Sequence, residues 1–188
     1  RDAALIEPAA VAFHAVRRSN IRIGDVVCIV GAGAIGLLTA QCARAAGAGL
    51  VIAIDPDESR RELGLTLGLD RAVAPGEELS QILSEVNGGL KADLAFDCAG
   101  IPQTMQQSVD MVRRGGGVCL VGVTSQNATI SPIRWISKEI TLYTSMVFTL
   151  EEMKATAGMI LDRRILVAPL RNEIINLDLN QKDKLKLF

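Results

Sequence analysis

Short apolar blocks alternate with amphipathic stretches along most of this 188-residue chain. Val26-Val27-Cys28-Ile29-Val30 is β-rich and carries no polar position, the pattern of a strand covered on both faces. Similar blocks at Leu50 to Ile54, Arg71 to Ala74, Ala92 to Asp97, Val118 to Val123 and Glu139 to Ser145 predict five further strands. The intervening stretches have helical spacing. They predict helices from near Glu7 to Arg18, after Gly33, and over Ser59 to Gly68, Glu77 to Val86 and Pro102 to Val112. A short helix around Ile133 to Ser137 and a longer one over Leu150 to Asp162 complete the set.

Local signals set the ends. Pro8 suits a first helical turn, and Arg17 and Arg18 oppose the dipole in the last turn. Asn87-Gly88-Gly89 and Arg113-Arg114-Gly115-Gly116-Gly117 read as helix stops. Gly64 and Gly68 weaken their helix by about 1 kcal/mol each, so tertiary packing must hold it. Beyond Ile165 the pattern is less regular: 166 to 170 looks extended, and Leu177 to Phe188 is a charged, helix-compatible end.

Six strands alternating with helices imply βαβ units and a parallel sheet covered on both faces. Right-handed crossovers give the order 3-2-1-4-5-6, a doubly wound α/β fold of Rossmann type. One domain is expected over 1 to 188, with a lead-in helix to residue 24, a core from 25 to 146, and a C-terminal helix and tail from 147.

Composition narrows the function. A net charge of -1 supplies no basic field for nucleic acid, and 3% aromatic residues leave little for base stacking. No apolar run approaches the ~20 residues of a membrane span, and the start lacks the layout of a secretory signal. Neither nucleic acid nor membrane is expected as a partner. Cys28, Cys42, Cys98 and Cys119 are scattered without a C-x-x-C pair, which predicts buried free thiols in a reducing compartment, the cytoplasm.

The stretch from Val26 to Asp55 carries the clearest chemistry. Gly31, Gly33 and Gly36, with Ala34 and Ile35 between the last two, form G-x-G-x-x-G between a strand and a helix. Gly31 permits the tight turn, Gly33 admits backbone close to a pyrophosphate, and Gly36 lets helix and strand pack. Helix N–H groups then face phosphate. Asp55 ends the second strand about 20 residues on, where a carboxylate can accept both ribose hydroxyls. It would repel a 2′-phosphate, so NAD is favoured; Arg60 and Arg61 keep NADP open, since arginine can receive that phosphate.

Other catalytic groups are scarce. His14, the single histidine, sits among apolar helix positions and reads as a core or interface residue. Tyr143 has no lysine four residues downstream, and no G-x-S-x-G elbow occurs. Glu7, by spacing alone, is an ordinary acid at a helix N-terminus.

Glu7-Pro8 with AFHAVRR, GDVVCIVGAGAIG, Asp55 with Arg60, FDCAG, and RRGGGVCLVGV together resemble the zinc-dependent medium-chain alcohol and polyol dehydrogenases. AVAFHAVRR is most similar to the sorbitol and threonine dehydrogenase branch. The resemblance covers roughly residues 3 to 145. It implies that Ile35 touches the pyrophosphate side of the cofactor, and that Asp55 and Arg60 hold the adenosine ribose and flank the adenine. It places Ala99 and Gly100 near the adenosine half, Val121, Gly122 and Val123 beside the nicotinamide, and Ser145 and Met146 at its amide. It also implies a zinc ligand at Glu7 and a homodimer formed by pairing Glu139 to Ser145 across a two-fold.

The chain also departs from that family. The family's catalytic cysteine and G-H-E zinc motif do not occur in this sequence, and Val147 stands where some polyol-type members have arginine. The expectation is an NAD-binding domain of an oxidoreductase acting on a secondary alcohol or polyol. The catalytic zinc domain is expected to be absent from this chain, zinc to belong to a full-length parent, and the chain not to be active alone. The alternative is a non-catalytic, dimerising NAD-binding module. A methyltransferase binding S-adenosylmethionine shares the glycine turn, but no spacing for its antiparallel seventh strand is present.

Overall fold

The computed structural model describes residues 2–171. Its centre is a six-stranded, all-parallel sheet in the order β3-β2-β1-β4-β5-β6. The strands are β1 (Val26–Val30), β2 (Leu50–Ile54), β3 (Arg71–Val73), β4 (Ala92–Asp97), β5 (Val112–Leu120) and β6 (Thr141–Thr144). The helices are α1 (Ile6–Arg18), α2 (Ala34–Ala45), α3 (Glu58–Thr66), α4 (Glu77–Glu85), α5 (Pro102–Met111), α6 (Pro132–Lys138) and α7 (Leu150–Leu161).

Every residue of β1 is buried, and its side chains alternate between two cores as strand geometry requires. Val27 and Ile29 join Val51, Ala53, Leu94 and Phe96 beneath α1, α2 and α7. Val26, Cys28 and Val30 join Ile52, Ile54, Ala95 and Val118 beneath α4, α5 and α6. Helices thus cover both faces, and burial on both sides accounts for the lack of polar alternation.

Most boundaries match or shift by a residue, and the instructive differences from the sequence reading lie at α3, β5 and β6. The third helix runs Glu58–Thr66, because the Asp57 side chain caps it by accepting the Arg60 N–H. β5 begins at Val112 rather than Val118: Val112 pairs with Ala92, the chain bulges through the glycine run, and pairing resumes at Gly117 with Leu94. The glycines read as a stop allow that bulge, with Gly115 at φ +69°. β5 also ends at Leu120, leaving Val121 to Val123 as a loop. β6 is Thr141–Thr144, since Glu139 closes α6 in the left-handed region. Near the C-terminal side, Ala168–Leu170 is a short 3-10 turn rather than extended chain, while Ile165 and Val167 are buried in the first core. The helix-compatible end from Leu177 lies outside the described residues.

His14 does not sit alone. Its Nδ1 lies 2.9 Å from Glu152 Oε2, joining α1 to α7. Glu152 is buried and also completes the capping box with Thr149. Burial would raise its carboxyl, but the Thr149 N–H and His14 outweigh that and hold it below the usual range.

Candidate dinucleotide-binding cleft

The parallel register brings the carboxyl ends of β1, β2 and β4 side by side, where such folds place a ligand. Gly31 leaves β1 at φ +93° and donates its N–H to the Ile54 carbonyl at 2.8 Å. A Cβ there would come within 3.0 Å of the Ala99 backbone. A Cβ on Gly36 would lie 1.8 Å from the Gly31 carbonyl oxygen, so this glycine is a packing requirement. A Cβ on Gly33 would meet nothing within 4 Å: its α-carbon faces open space at the start of α2. No side chain caps that helix and no acid lies in its first turn. Its first N–H groups are left to a ligand or water, which suits a pyrophosphate.

Asp55 follows β2 directly and is only 3% exposed. Its Oδ2 accepts the Ala32 N–H at 2.8 Å and its Oδ1 accepts the Asp57 N–H at 2.9 Å. The carboxylate therefore ties the glycine turn to the turn before α3, and each oxygen keeps a lone pair for another donor. Arg60 Nη1 stands 3.6 Å from Asp55 Oδ2. Arg61 is committed elsewhere: its Nη1 donates to the Asp55 and Pro56 carbonyls at 2.9 and 2.8 Å.

A cleft of about 420 Å³ opens among these groups. Gly31, Gly33, Asp55 and Arg60 line one wall, and Cys98, Ala99, Ile101 and Thr104 the other. A second hollow of about 250 Å³ shares Gly33 and Arg60 with it and reaches Ala34 and Leu37. The glycine turn, a buried acid and an uncapped helix thus converge on one concave space, a cradle that fits a nicotinamide dinucleotide.

Sequence reasoning missed Ile101, Thr104, Gln107 and Met111, which α5 and its approach bring to the cleft. No short pattern flags them. Asp97, buried at the end of β4, was missed too; burial raises its carboxyl above the ordinary value despite donors from Thr104, Ala99 and Gly100. Cys98 reaches the cleft as a thiol that burial pushes up to about 12, too high for a reactive nucleophile.

Val121, Gly122 and Val123 follow β5, and the 122–123 backbone packs against Gly100. Val121 is buried, whereas Val123 is exposed. Ser145 continues β6, donating its N–H to the Leu120 carbonyl at 3.0 Å, and its buried Oγ has no partner. Met146 is exposed beside it. Glu7 is an exposed residue of the first turn of α1. Among the described residues no three His, Cys, Asp or Glu side chains gather as a metal site, so these residues do not by themselves fit zinc.

The profile of the zinc-binding dehydrogenases matches residues 34–162, more than half of the chain. L-idonate 5-dehydrogenase of Vitis vinifera is 36% identical over 136 residues, covering 69% of this chain and 37% of that one. Sorbitol dehydrogenase of Arabidopsis thaliana is 39% identical over 127 residues, covering 65% and 35%. Among solved structures, one described as a zinc-binding dehydrogenase of Sinorhizobium meliloti 1021 bound to NADP superposes with a TM-score of 0.78 at 31% identity. The superposition covers 86% of this chain and 48% of that one. The chain spans well under two thirds of the length of these relatives.

Proposed function

The chain belongs to the zinc-binding dehydrogenase family, as its coenzyme-binding domain, and from that premise we propose that it binds NAD(H) for hydride exchange with a secondary alcohol or polyol. The observation that carries the reading is the cleft in which the open Gly33 face, the uncapped start of α2 and buried Asp55 converge. The bound cofactor supplies the hydride acceptor or donor. The chain's own residues bind and orient it. The N–H groups of Ala34, Ile35 and Gly36 would face the pyrophosphate, Asp55 would accept from the adenosine ribose, and Arg60 would flank the adenine. Ala99 and Gly100 would wall the adenosine half. Val121, Gly122 and Val123 would run beside the nicotinamide, with Ser145 and Met146 at its amide.

Asp55 supports NAD over NADP. Both of its oxygens are anchored to backbone N–H groups, so it cannot swing away from a 2′-phosphate. Arg61, spent on two carbonyls, is not poised to receive that phosphate. Glu7 would contribute to zinc only with ligands from outside the described residues. Four free cysteines support a reducing compartment such as the cytoplasm, and among the described residues no helix is long and apolar enough to cross a membrane.

Edge strand β6 supports a homodimer: Leu142 is half exposed on it, and Met146 and Val147 lie exposed just beyond. The second reading, a non-catalytic dimerising module, shares the same cleft. Isothermal titration of the chain with NADH tests both. One-site, saturable binding is expected; no heat at millimolar NADH would overturn the dinucleotide reading.

A further inference from the structure

Asp97 joins the two stretches that face the cleft from the β4 and β5 side. Its backbone carbonyl accepts the N–H groups of Val121 and Gly122 at 2.9 and 2.8 Å. Its carboxyl oxygens lie 2.9 and 2.8 Å from the Thr104 hydroxyl, and Oδ1 accepts the Ala99 N–H at 3.2 Å. The Thr104 hydroxyl also lies 2.7 Å from the Ile101 carbonyl, so it bridges the end of β4 to the start of α5. Both side chains are buried, at 4% and 5% exposure.

The turn that this pair holds has no slack. On one side the Ala99 backbone is 3.0 Å from where a Cβ on Gly31 would stand. On the other, a Cβ on Gly122 would lie 2.3 Å from the Gly100 nitrogen. Residues 99–100 are wedged between the glycine turn and the loop after β5, so a shift of the wedge must move one wall. Asp97 does not line the cleft, whereas Ala99, Ile101 and Thr104 do.

We propose that Asp97 and Thr104 are a positioning pair for the dinucleotide, the Thr104 hydroxyl fixing the Asp97 carboxyl and through it the wall formed by residues 98–101. The inference rests on the reading of the cleft as a nicotinamide dinucleotide site. Asp97 then acts at both ends of the cofactor: its side chain sets the adenosine wall and its carbonyl sets the strip assigned to the nicotinamide.

Thr104→Val keeps the shape and removes the hydroxyl, and Thr104→Ser restores it. In the chain as it stands, two readouts are taken: amide exchange of Ala99 and Gly100 by NMR, and NADH affinity by cofactor fluorescence. Thr104→Val is expected to speed exchange at both amides and to weaken NADH by about tenfold, the size of a lost hydrogen bond to a charged or buried acid. Thr104→Ser is expected to return both to within about twofold of the parent. Unchanged exchange and affinity in Thr104→Val, or no rescue by serine, would overturn the inference. Faster exchange with unchanged NADH affinity would also overturn it, leaving the pair a lock on the fold alone. Failure of the unsubstituted chain to bind NADH would instead sink the dinucleotide reading, and with it any cofactor role for the pair.

Discussion

Asp55 holds two turns together and, in the proposed site, also meets the ligand. Its spacing from the glycine pattern made it legible as a ribose acceptor, because that spacing is fixed by the length of one βαβ unit. What spacing could not reveal is that both oxygens also hold backbone N–H groups of the two turns they join. Asp97 ends a predicted strand within the FDCAG stretch, but its pairing with Thr104 was not legible, since it depends on a β4-to-α5 turn folding back on itself. Asp93 is a third such acid. Burial alone would raise its carboxyl, but Arg113, the Val26 N–H and the Asn87 amide outweigh it and hold it below its ordinary range. A depressed native value means that its stabilisation is complete above the unfolded carboxylate value and is lost as pH falls through the lowered one. Asp93→Asn is therefore expected to lower stability by about 1–3 kcal/mol at neutral pH, and to flatten part of the decline in unfolding free energy below about pH 4. Urea melts of both proteins from neutral pH downward check this; parallel acid limbs would contradict it.

Among elements, those whose periodicity matched their burial were read correctly and those shaped by irregular backbone were not. β1 and β2 agree residue for residue with their apolar blocks because both faces of each are covered. β5 was misplaced because its glycine run signals a stop in sequence but serves as a bulge in the sheet. β6 was overextended because sequence cannot show where α6 ends in a left-handed Glu139. Two predictions belong at this scale. Gly36→Ala drives a Cβ into the Gly31 carbonyl, backbone against backbone, where no side chain can yield. It is expected to destabilise the fold by about 1–3 kcal/mol or more, whereas Gly33→Ala, facing open space, leaves the urea midpoint within error and weakens NADH instead. Equal midpoints for parent and Gly36→Ala would refute this assignment. At the other edge, Leu142→Lys places a charge on β6, so sedimentation velocity should report a dimer in the parent and a monomer in the variant. A monomeric parent would exclude pairing through this strand.

For the whole molecule, strand order and covering layers followed from βαβ alternation and crossover handedness, physical rules that act on element order rather than on residue detail. The location of the cleft followed with them, because Gly31 and Asp55 lie at the carboxyl ends of adjacent strands. Its second wall followed in part: the strand order puts β4 beside β1 and the resemblance placed Ala99 there, whereas Ile101 and Thr104 reach the cleft only through the fold of the turn into α5. We propose that this wall, the open Gly33 face and an anchored Asp55 form an NAD site that rejects a 2′-phosphate. Parallel fluorescence titrations with NADH and NADPH, on the parent and on Asp55→Ala, test it most directly. The parent should bind NADH at least about tenfold more tightly than NADPH. Asp55→Ala should lose about 1–3 kcal/mol of NADH affinity and with it most of that preference. Tighter binding of NADPH by the parent, or an Asp55→Ala protein that still discriminates as the parent does, would contradict the account.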